Sequence, residues 1–259
     1  MLDEQWIRAL HVETMREREL QPEHEPHVLF QASTIAALLD GAYDGDLTFA
    51  ELAEHGDLGL GTLNGLDGEM VALEGSFYRA AVDGTIAEVG PEERTPFAVV
   101  TAFAPTIEAE IGGPLTHQSL LAALDGLVPE AAASCAIRLD GRFESVRARS
   151  VPRQHPPYRP LIEVVSEQRE FDLEGVAGTM VGFRFPSYAE GIEVSGFHLH
   201  FIDAERRRGG HVLDSRVIAA TARLDPSNDL HIELPPAIDL ASPELAAATH
   251  AAIERVERG

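Results

Sequence analysis

The chain has 259 residues, of which 44% are hydrophobic and 24% charged, a composition typical of a globular protein with a substantial core. Its 43 acidic and 20 basic residues give a net charge of -23 at pH 7, which disfavours contact with nucleic acids and anionic membranes. No stretch approaches the roughly 18 uncharged apolar residues of a membrane-spanning helix. We therefore expect neither a nucleic-acid partner nor membrane association.

The N-terminal segment and the cysteine content indicate a compartment. The first 20 residues carry charges throughout and lack the apolar stretch of a signal peptide. The single cysteine, Cys135, excludes an internal disulfide, and its apolar neighbours predict a buried thiol. Both observations favour the cytoplasm.

The first predicted elements are short. Residues 1–20 have the spacing of an amphipathic helix, and "EPHVLFQAS", residues 25–33, is typical of a strand. A helix capped by Ser33 or Thr34 follows and ends at Gly41.

A second helix is predicted after Thr48, where Glu51 completes a capping box. Residues 66–90 then read as consecutive strands joined by Asp-Gly turns, the pattern of a β-meander. Thr116 caps a third predicted helix.

The rest of the chain is predicted to be mostly strand. Residues 135–151 suggest a hairpin that turns at Asp140-Gly141. The proline-rich residues 155–161 suggest an extended connection, residues 160–186 return to strands, and a closing helix is capped by Ser242.

These elements predict an α+β fold of two β-rich halves, built from mixed or antiparallel sheet, with few short helices and a C-terminal helix. We place the N-terminal half at residues 1–155 and the C-terminal half at residues 156–259.

Three of the 11 histidines lie in "SGFHLHFIDAERRRGGHVLD", residues 195–214. If "FHLHF" is a strand, His198 and His200 point to one face, because side chains alternate along a strand. The segment "DAERRRGG" predicts a return turn, and a second strand would then bring His211 beside them. Three imidazoles on a hairpin are a ligand set for zinc or another divalent transition metal.

The same spacing also fits ordinary surface histidines on a polar strand face. The sequence lacks several motifs of other enzyme classes, namely H-E-x-x-H, C-x-x-C, G-x-S-x-G and the P-loop. The clean alternation, and the position of His211 directly after the turn, favour the metal site.

Three segments together resemble the α-acetolactate decarboxylase family. They are residues 30–79, which contain "GLGT" and "LDGE", residues 147–161, and residues 196–214 with the histidine hairpin. The resemblance covers most of the chain, and the first and third segments are specific in combination. It implies decarboxylation of 2-acetolactate to (R)-acetoin, on the route to butanediol, by a homodimer of β-rich α+β subunits.

The resemblance further implies a zinc ion held by His198, His200 and His211. Loss of CO2 from acetolactate, a β-keto acid with a hydroxyl group, leaves an enediolate whose negative charge zinc would stabilise as a Lewis acid. A zinc with three protein ligands keeps positions open for the substrate oxygens.

The family also uses an arginine and two glutamates. Arg149 of "RARSV" and Glu69 of "LDGEM" match the arginine and the first glutamate. The second glutamate comes from the C-terminal tail, where Glu257 of "ERVERG" matches best and Glu254 is the rival one helical turn earlier. The arginine would hold a carboxylate or oxyanion, and the glutamates are candidates for proton transfer.

Two other functions are compatible with a three-histidine site. A zinc-dependent hydrolase would attack a small acyl substrate with a metal-activated water. A non-enzymatic metal-binding module would bind the ion without turnover. Only the first would release an acid from an ester or amide, and neither would release CO2 from acetolactate.

Overall fold

A computed structural model describes residues 26–234, together with the backbone of residues 11–15. Among these residues, no helix is long and apolar enough to cross a membrane. The described strands form an eight-stranded sheet, a five-stranded sheet and a two-stranded pair. The prediction of a sheet-rich α+β fold with few short helices is confirmed, while the predicted C-terminal helix lies outside the described residues.

The eight-stranded sheet, called sheet A here, has the strand order β1-β15-β2-β9-β4-β5-β6-β7. Its strands β1 and β2 run parallel to β15, and the remaining pairs are antiparallel. The strand bounds are β1 His11–Met15, β2 Val28–Ala32, β4 Leu58–Thr62, β5 Glu69–Leu73, β6 Ser76–Ala80, β7 Ile86–Glu88, β9 Ala98–Thr101 and β15 Asp229–Glu233.

The five-stranded sheet, called sheet B, is antiparallel and has the order β10-β14-β11-β12-β13. Strand β14 also pairs with β13, so this sheet curls until two strands that are not neighbours in the order meet. The bounds are β10 Ile107–Thr116, β11 Ser134–Ser150, β12 Arg169–Phe185, β13 Gly196–Asp203 and β14 Gly209–Ser227, and the separate pair is β3 Leu47–Thr48 with β8 Arg94–Thr95.

The three helices predicted from their capping residues are all present, and Thr34 rather than Ser33 caps the first. Each begins where a threonine side chain accepts a hydrogen bond from the first turn, which satisfies a backbone amide that the helix itself leaves without a partner. The helices are α1 Ile35–Leu39 after Thr34, α2 Phe49–Ala53 after Thr48, and α3 His117–Asp125 after Thr116.

The two large sheets pack face to face. One apolar cluster contains residues of sheet A, such as Leu60 and Val71, together with residues of sheet B, such as Val181 and Phe183. A second cluster covers the other face of sheet B under α3, and a third covers the other face of sheet A under α2. The layer between the sheets is therefore the part of the core in which residues from both can meet.

Three sequence predictions are wrong, and two of them concern where helices lie. Residues 11–15 are not helical but form β1, because the edge of β15 offers a parallel partner for their backbone. The other residues of the predicted helix over 1–20 lie outside the described ranges. Residues 161–164 form a short helix, α4, instead of a strand, and the next strand begins at Arg169.

The predicted hairpin at Asp140-Gly141 is also wrong, since β11 runs through both residues without a turn. Asp140 accepts hydrogen bonds from Arg138, Arg223 and Thr179 on three adjacent strands. Gly141 does not have a positive φ, and its missing side chain instead permits the close approach of β14. The Asp-Gly pair therefore supports the packing of a continuous strand. The dipeptide alone does not distinguish this role from that of a turn.

The strands on either side of residue 155 contribute to both large sheets: β15 belongs to sheet A, and β10 and β11 belong to sheet B. The division into residues 1–155 and 156–259 stays a prediction. The predicted meander is confirmed, since β5, β6 and β7 are consecutive neighbours in sheet A.

Replacing Gly141 by alanine should lower the free energy of unfolding by about 1–3 kcal/mol, the usual range for overpacking. The added Cβ would lie 2.5 Å from the Cβ of Ala220 and 2.7 Å from the carbonyl oxygen of Ala219. The matched control is Gly112→Ala, whose Cβ would have no heavy atom within 4 Å. Urea unfolding of both variants measures the difference, and equal midpoints would contradict the close packing.

Candidate active site

The predicted histidine hairpin is present. In β13, His198 and His200 point toward sheet A, while Leu199 and Phe201 belong to the apolar cluster on the opposite face. The two strands place His200 directly opposite His211. The centroids of the three imidazole rings are 5.1 to 5.4 Å apart. The alternation and the return turn thus bring the three side chains together as the sequence predicted.

The three histidines are buried, and each has one potential ligand atom within 4.8 Å of the others. The Nδ1 atom of His200 donates to the carbonyl oxygen of Met70 at 2.8 Å, which leaves its Nε2 as the unprotonated nitrogen of the neutral ring. That Nε2 is buried and has no hydrogen-bond partner among the described residues. A buried acceptor in a cluster of imidazoles fits a divalent transition metal.

The charge state of His200 fits the same interpretation. Burial holds the pKa of this imidazole well below its usual range, and the nearby His198 and Arg149 lower it further against the hydrogen bond to Met70. The ring therefore stays neutral at physiological pH. Metal binding requires a neutral imidazole, so no proton has to be displaced from His200 before a metal binds.

Glu69 and Arg149 lie beside the histidines and form an ion pair between the sheets. Glu69 is the first residue of β5 in sheet A, and Arg149 lies in β11 of sheet B, opposite His211 in β14. The Arg149 Nη1 atom donates to Glu69 Oε1 at 3.1 Å, and the two side chains are 5% and 10% exposed. The other carboxylate oxygen of Glu69 lies 3.6 Å from Nε2 of His200.

Comparisons with known proteins assign the chain to a family. The model of the alpha-acetolactate decarboxylase family matches residues 29–247. The chain belongs to the alpha-acetolactate decarboxylase family. It is 45% identical over 234 residues to the alpha-acetolactate decarboxylase of Methylococcus capsulatus, a match that covers 90% of each chain. It is 40% identical over 217 residues to that of Bacillus subtilis strain 168, covering 84% of this chain and 85% of the relative.

Solved structures agree with this membership. The crystal structure of alpha-acetolactate decarboxylase from Bacillus subtilis strain 168 superposes with a TM-score of 0.84 at 38% identity, covering 89% of this chain and 99% of the other. A Staphylococcus aureus protein described as similar to alpha-acetolactate decarboxylase gives 0.79 at 30% identity, covering 89% and 97%. The chain is therefore an enzyme of this family, a carboxy-lyase.

A turn with a left-handed glycine positions Glu69. Gly68 has a φ of +89°, and a Cβ at this residue would lie 2.3 Å from the carbonyl oxygen of Ala80. Only glycine adopts this conformation at so short a separation without strain. The hydroxyl of Thr62 donates to the Gly68 carbonyl at 2.7 Å, and Arg79 donates to Asp67 at 2.7 Å. The "LDGE" segment is thus a turn that aims Glu69 between the sheets.

The histidine cluster opens into a cavity with mostly apolar walls. The polar part of its lining is Thr62, Glu69, Arg149 and the three histidines. The apolar part comes from α1, the start of α4, and the segments around β4, β9 and β11, namely Ile35, Leu38, Leu66, Phe97, Val151 and Leu161. Thr62 both lines the cavity and holds the turn before Glu69.

One residue near the cluster was missed by sequence reasoning. Glu193 is fully buried, and its Oε1 lies 3.2 Å from Nδ1 of His198. It precedes β13 in an irregular segment, where a glutamate is ordinarily exposed to solvent, and so no sequence pattern singled it out. The C-terminal candidates Glu257 and Glu254 lie outside the described residues, and the choice between them stays a prediction.

The variant Arg149→Met should lower the free energy of unfolding of the metal-free protein by about 3–5 kcal/mol, because it leaves the buried Glu69 carboxylate without its cationic partner. The double variant Glu69→Gln/Arg149→Met removes both charges and should recover part of the loss. Urea unfolding provides the measurement. The exposed pair of Arg216 with Glu144, at 3.7 Å, supplies the control Arg216→Met, which should be almost neutral. Equal losses in both arginine variants would contradict a buried pair.

Proposed function

We propose that the protein catalyses metal-dependent decarboxylation of 2-acetolactate to (R)-acetoin, with zinc held by His198, His200 and His211. The observation that carries the proposal is the cluster of three buried imidazoles whose ligand atoms lie within 4.8 Å of one another. Family membership supports the decarboxylation itself, since the matched relatives bear that name. The metal and the roles of individual residues rest on the donor set and its surroundings.

The donor set fits zinc or a similar first-row ion. Three neutral nitrogen ligands are a common catalytic set for zinc, and they leave positions for the substrate. When bound, such a metal supplies a Lewis acid that stabilises the negative charge left on the substrate oxygens as CO2 departs. The Met70 carbonyl orients one ligand by accepting from Nδ1 of His200, which aims Nε2 into the cluster.

Arg149 is proposed to bind the carboxylate of the substrate, or the oxyanion that develops at its carbonyl oxygen as CO2 leaves. Its guanidinium lines the cavity, is 5% exposed in its side chain, and is held in place by Glu69. A guanidinium has five N–H donors in a planar fork, a geometry that matches a carboxylate or an oxyanion. In a site from which water is largely excluded, this charge attracts an anionic group more strongly than it would at the surface.

Glu69 is proposed to transfer a proton to or from the reacting carbon or its oxygen. Oε1 accepts from Arg149, while Oε2 faces His200 on the side of the imidazole cluster. In Glu69, one carboxylate oxygen is thus bound by Arg149, and the other lies at the proposed metal site. This arrangement orients the carboxyl group, which a proton transfer to a single face of the product requires.

The apolar wall is proposed to receive the methyl groups of acetolactate. Leu38, Leu66 and Phe97 line the cavity on the side of sheet A and α1, and Leu161 lines it from α4. Apolar walls exclude water, which would otherwise screen the charges of Arg149. Two methyl groups and one carboxylate match a cavity that is mostly apolar and carries one guanidinium.

The predictions of a homodimer and of a cytoplasmic location remain part of this proposal, as does zinc rather than another divalent ion. Size-exclusion chromatography with light scattering tests the oligomeric state. Elemental analysis of the purified protein tests the identity of the metal.

Replacing His200 by alanine should abolish acetoin formation from racemic acetolactate, by at least about 100-fold, since the loss of outer-shell partners alone costs 10–100-fold. The bound metal, measured on the same sample, should fall with it. His155→Ala is the matched control, because His155 is exposed and does not line the cavity. Stoichiometric metal without acetoin in the unmodified protein would favour the hydrolase or metal-binding alternatives, and acetoin without metal dependence would refute the metal role.

The C-terminal glutamates form a second matched pair of variants. If Glu257 transfers a proton, Glu257→Gln should lower kcat by about 10²–10⁴-fold, the usual contribution of general acid–base catalysis, with little change in bound metal. Glu254→Gln should leave kcat near that of the unmodified enzyme. Steady-state kinetics with acetolactate measures both, and the reverse order of effects would assign the role to Glu254.

A further inference from the structure

The Glu193 carboxylate is buried beside a proposed metal ligand. Glu193 has no surface exposed to solvent, and His198 is 6% exposed. The Oε1 atom of Glu193 lies 3.2 Å from Nδ1 of His198. A carboxylate is stable in such a place only when charge or hydrogen bonds compensate its lost hydration. The fold therefore places this side chain against the imidazole of His198.

We propose that Glu193 is a positioning residue of the metal centre, which orients His198 by accepting the hydrogen bond from its Nδ1. This inference rests on the proposed function, since it concerns the same three-histidine site. With the proton of the ring held on Nδ1, Nε2 carries the lone pair that serves as the ligand. A carboxylate acceptor also increases the electron donation of the imidazole to a bound cation.

The Glu193 backbone is held in place by a dedicated set of contacts. The peptide groups just before it accept hydrogen bonds from the start of α1 and from a buried glutamine of sheet A, which anchors the segment to both. From α1, the backbone N–H of Ile35 donates to the carbonyl oxygen of Ile192 at 3.0 Å, and that of Ala36 donates to Gly191 at 3.1 Å. From sheet A, Nε2 of Gln31 donates to the carbonyl oxygen of Ile192 at 2.7 Å. Because Ile35 also lines the cavity, the same anchor places a cavity wall and the proposed orienting carboxylate.

The groups that face Nδ1 of His200 and Nδ1 of His198 differ in charge. His200 donates to a neutral carbonyl oxygen, that of Met70, whereas His198 faces a carboxylate. Glu193 would place a carboxylate group close to a bound divalent cation, in surroundings where burial weakens screening. This charge should favour the cation beyond what three neutral imidazoles provide.

The test measures the affinity of the metal-free protein for Co²⁺, by competition with a chelator, and the visible absorption of the Co²⁺ form, which reports ligand geometry. Glu193→Gln keeps an acceptor oxygen but removes the charge, and Glu193→Ala removes both. We expect affinity to fall by about 10–100-fold in Glu193→Ala, the usual effect of losing such a partner, and by less in Glu193→Gln, with an altered absorption band in both. Glu190→Gln, in the same segment, is the matched control and should match the unmodified protein.

A purely structural role for Glu193 would have another outcome. It would lower the thermal unfolding midpoint of the metal-free variants while leaving Co²⁺ affinity and the absorption band unchanged in the folded protein, and this would overturn the inference. Glu193→Asp provides a second route if the other variants do not fold. It keeps the charge on a shorter side chain, and its affinity should lie between those of Glu193→Ala and the unmodified protein.

The same experiment separates this inference from the proposed function. If the unmodified protein binds Co²⁺ and His200→Ala does not, the metal site stands, and the Glu193 variants decide the role of the carboxylate alone. If the unmodified protein binds no Co²⁺, both the metal site and the role of Glu193 are refuted.

Discussion

Burial of charged and polar groups between two apolar sheets is the constraint on which this structure depends. Arg149 of sheet B and Glu69 of sheet A lie within the layer that the sheets otherwise fill with aliphatic and aromatic side chains. The 3.1 Å contact between them offsets part of the cost of burying each charge. A second contact between the sheets, from His200 to the carbonyl of Met70, satisfies a buried imidazole in the same way. These two polar contacts fix how the sheets face each other at the site.

The curl of sheet B is what gathers the site residues. An open sheet with the order β10-β14-β11-β12-β13 would leave β13 two strands away from β11 and farther from β14. Because β14 also pairs with β13, His200 and His211 become cross-strand partners. Strand β11 pairs with the opposite edge of β14, and there Arg149 is the cross-strand partner of His211. Three strands thus bring their side chains to one point without a long loop. A site on paired strands is held more precisely than one on loops, which suits a proposed metal centre.

Burial has several consequences at this point. It lowers the pKa of His200, which keeps the ring neutral and suited to bind a metal. It also reduces the screening between Arg149 and Glu69, and around Glu193. The apolar walls of the cavity extend the same low-dielectric surroundings to a bound substrate. The stability of the fold and the proposed chemistry therefore depend on the same exclusion of water, and a variant that admits water should weaken both.

Much of the local structure was determined by the sequence itself. Serine and threonine caps predicted α1, α2 and α3, because a hydroxyl at that position satisfies a backbone amide within the same turn. Strand alternation predicted that His198 and His200 share a face, and the turn composition predicted the return of His211. The resemblance to the decarboxylase family supplied Glu69 and Arg149, and the structure places them in contact. Each of these inferences depends on neighbours in sequence or on a specific motif.

Only the tertiary structure decided the rest, because it depends on partners distant in the chain. Residues 11–15 form a strand since β15, more than two hundred residues later, offers its edge. Asp140-Gly141 continues a strand because polar groups of β12 and β14 satisfy the aspartate and β14 packs closely against the glycine. Glu193 lies against His198 because α1 and sheet A hold its segment, which no local pattern reveals. Sequence thus determined which side chains could carry the chemistry, and sheet packing decided which of them meet.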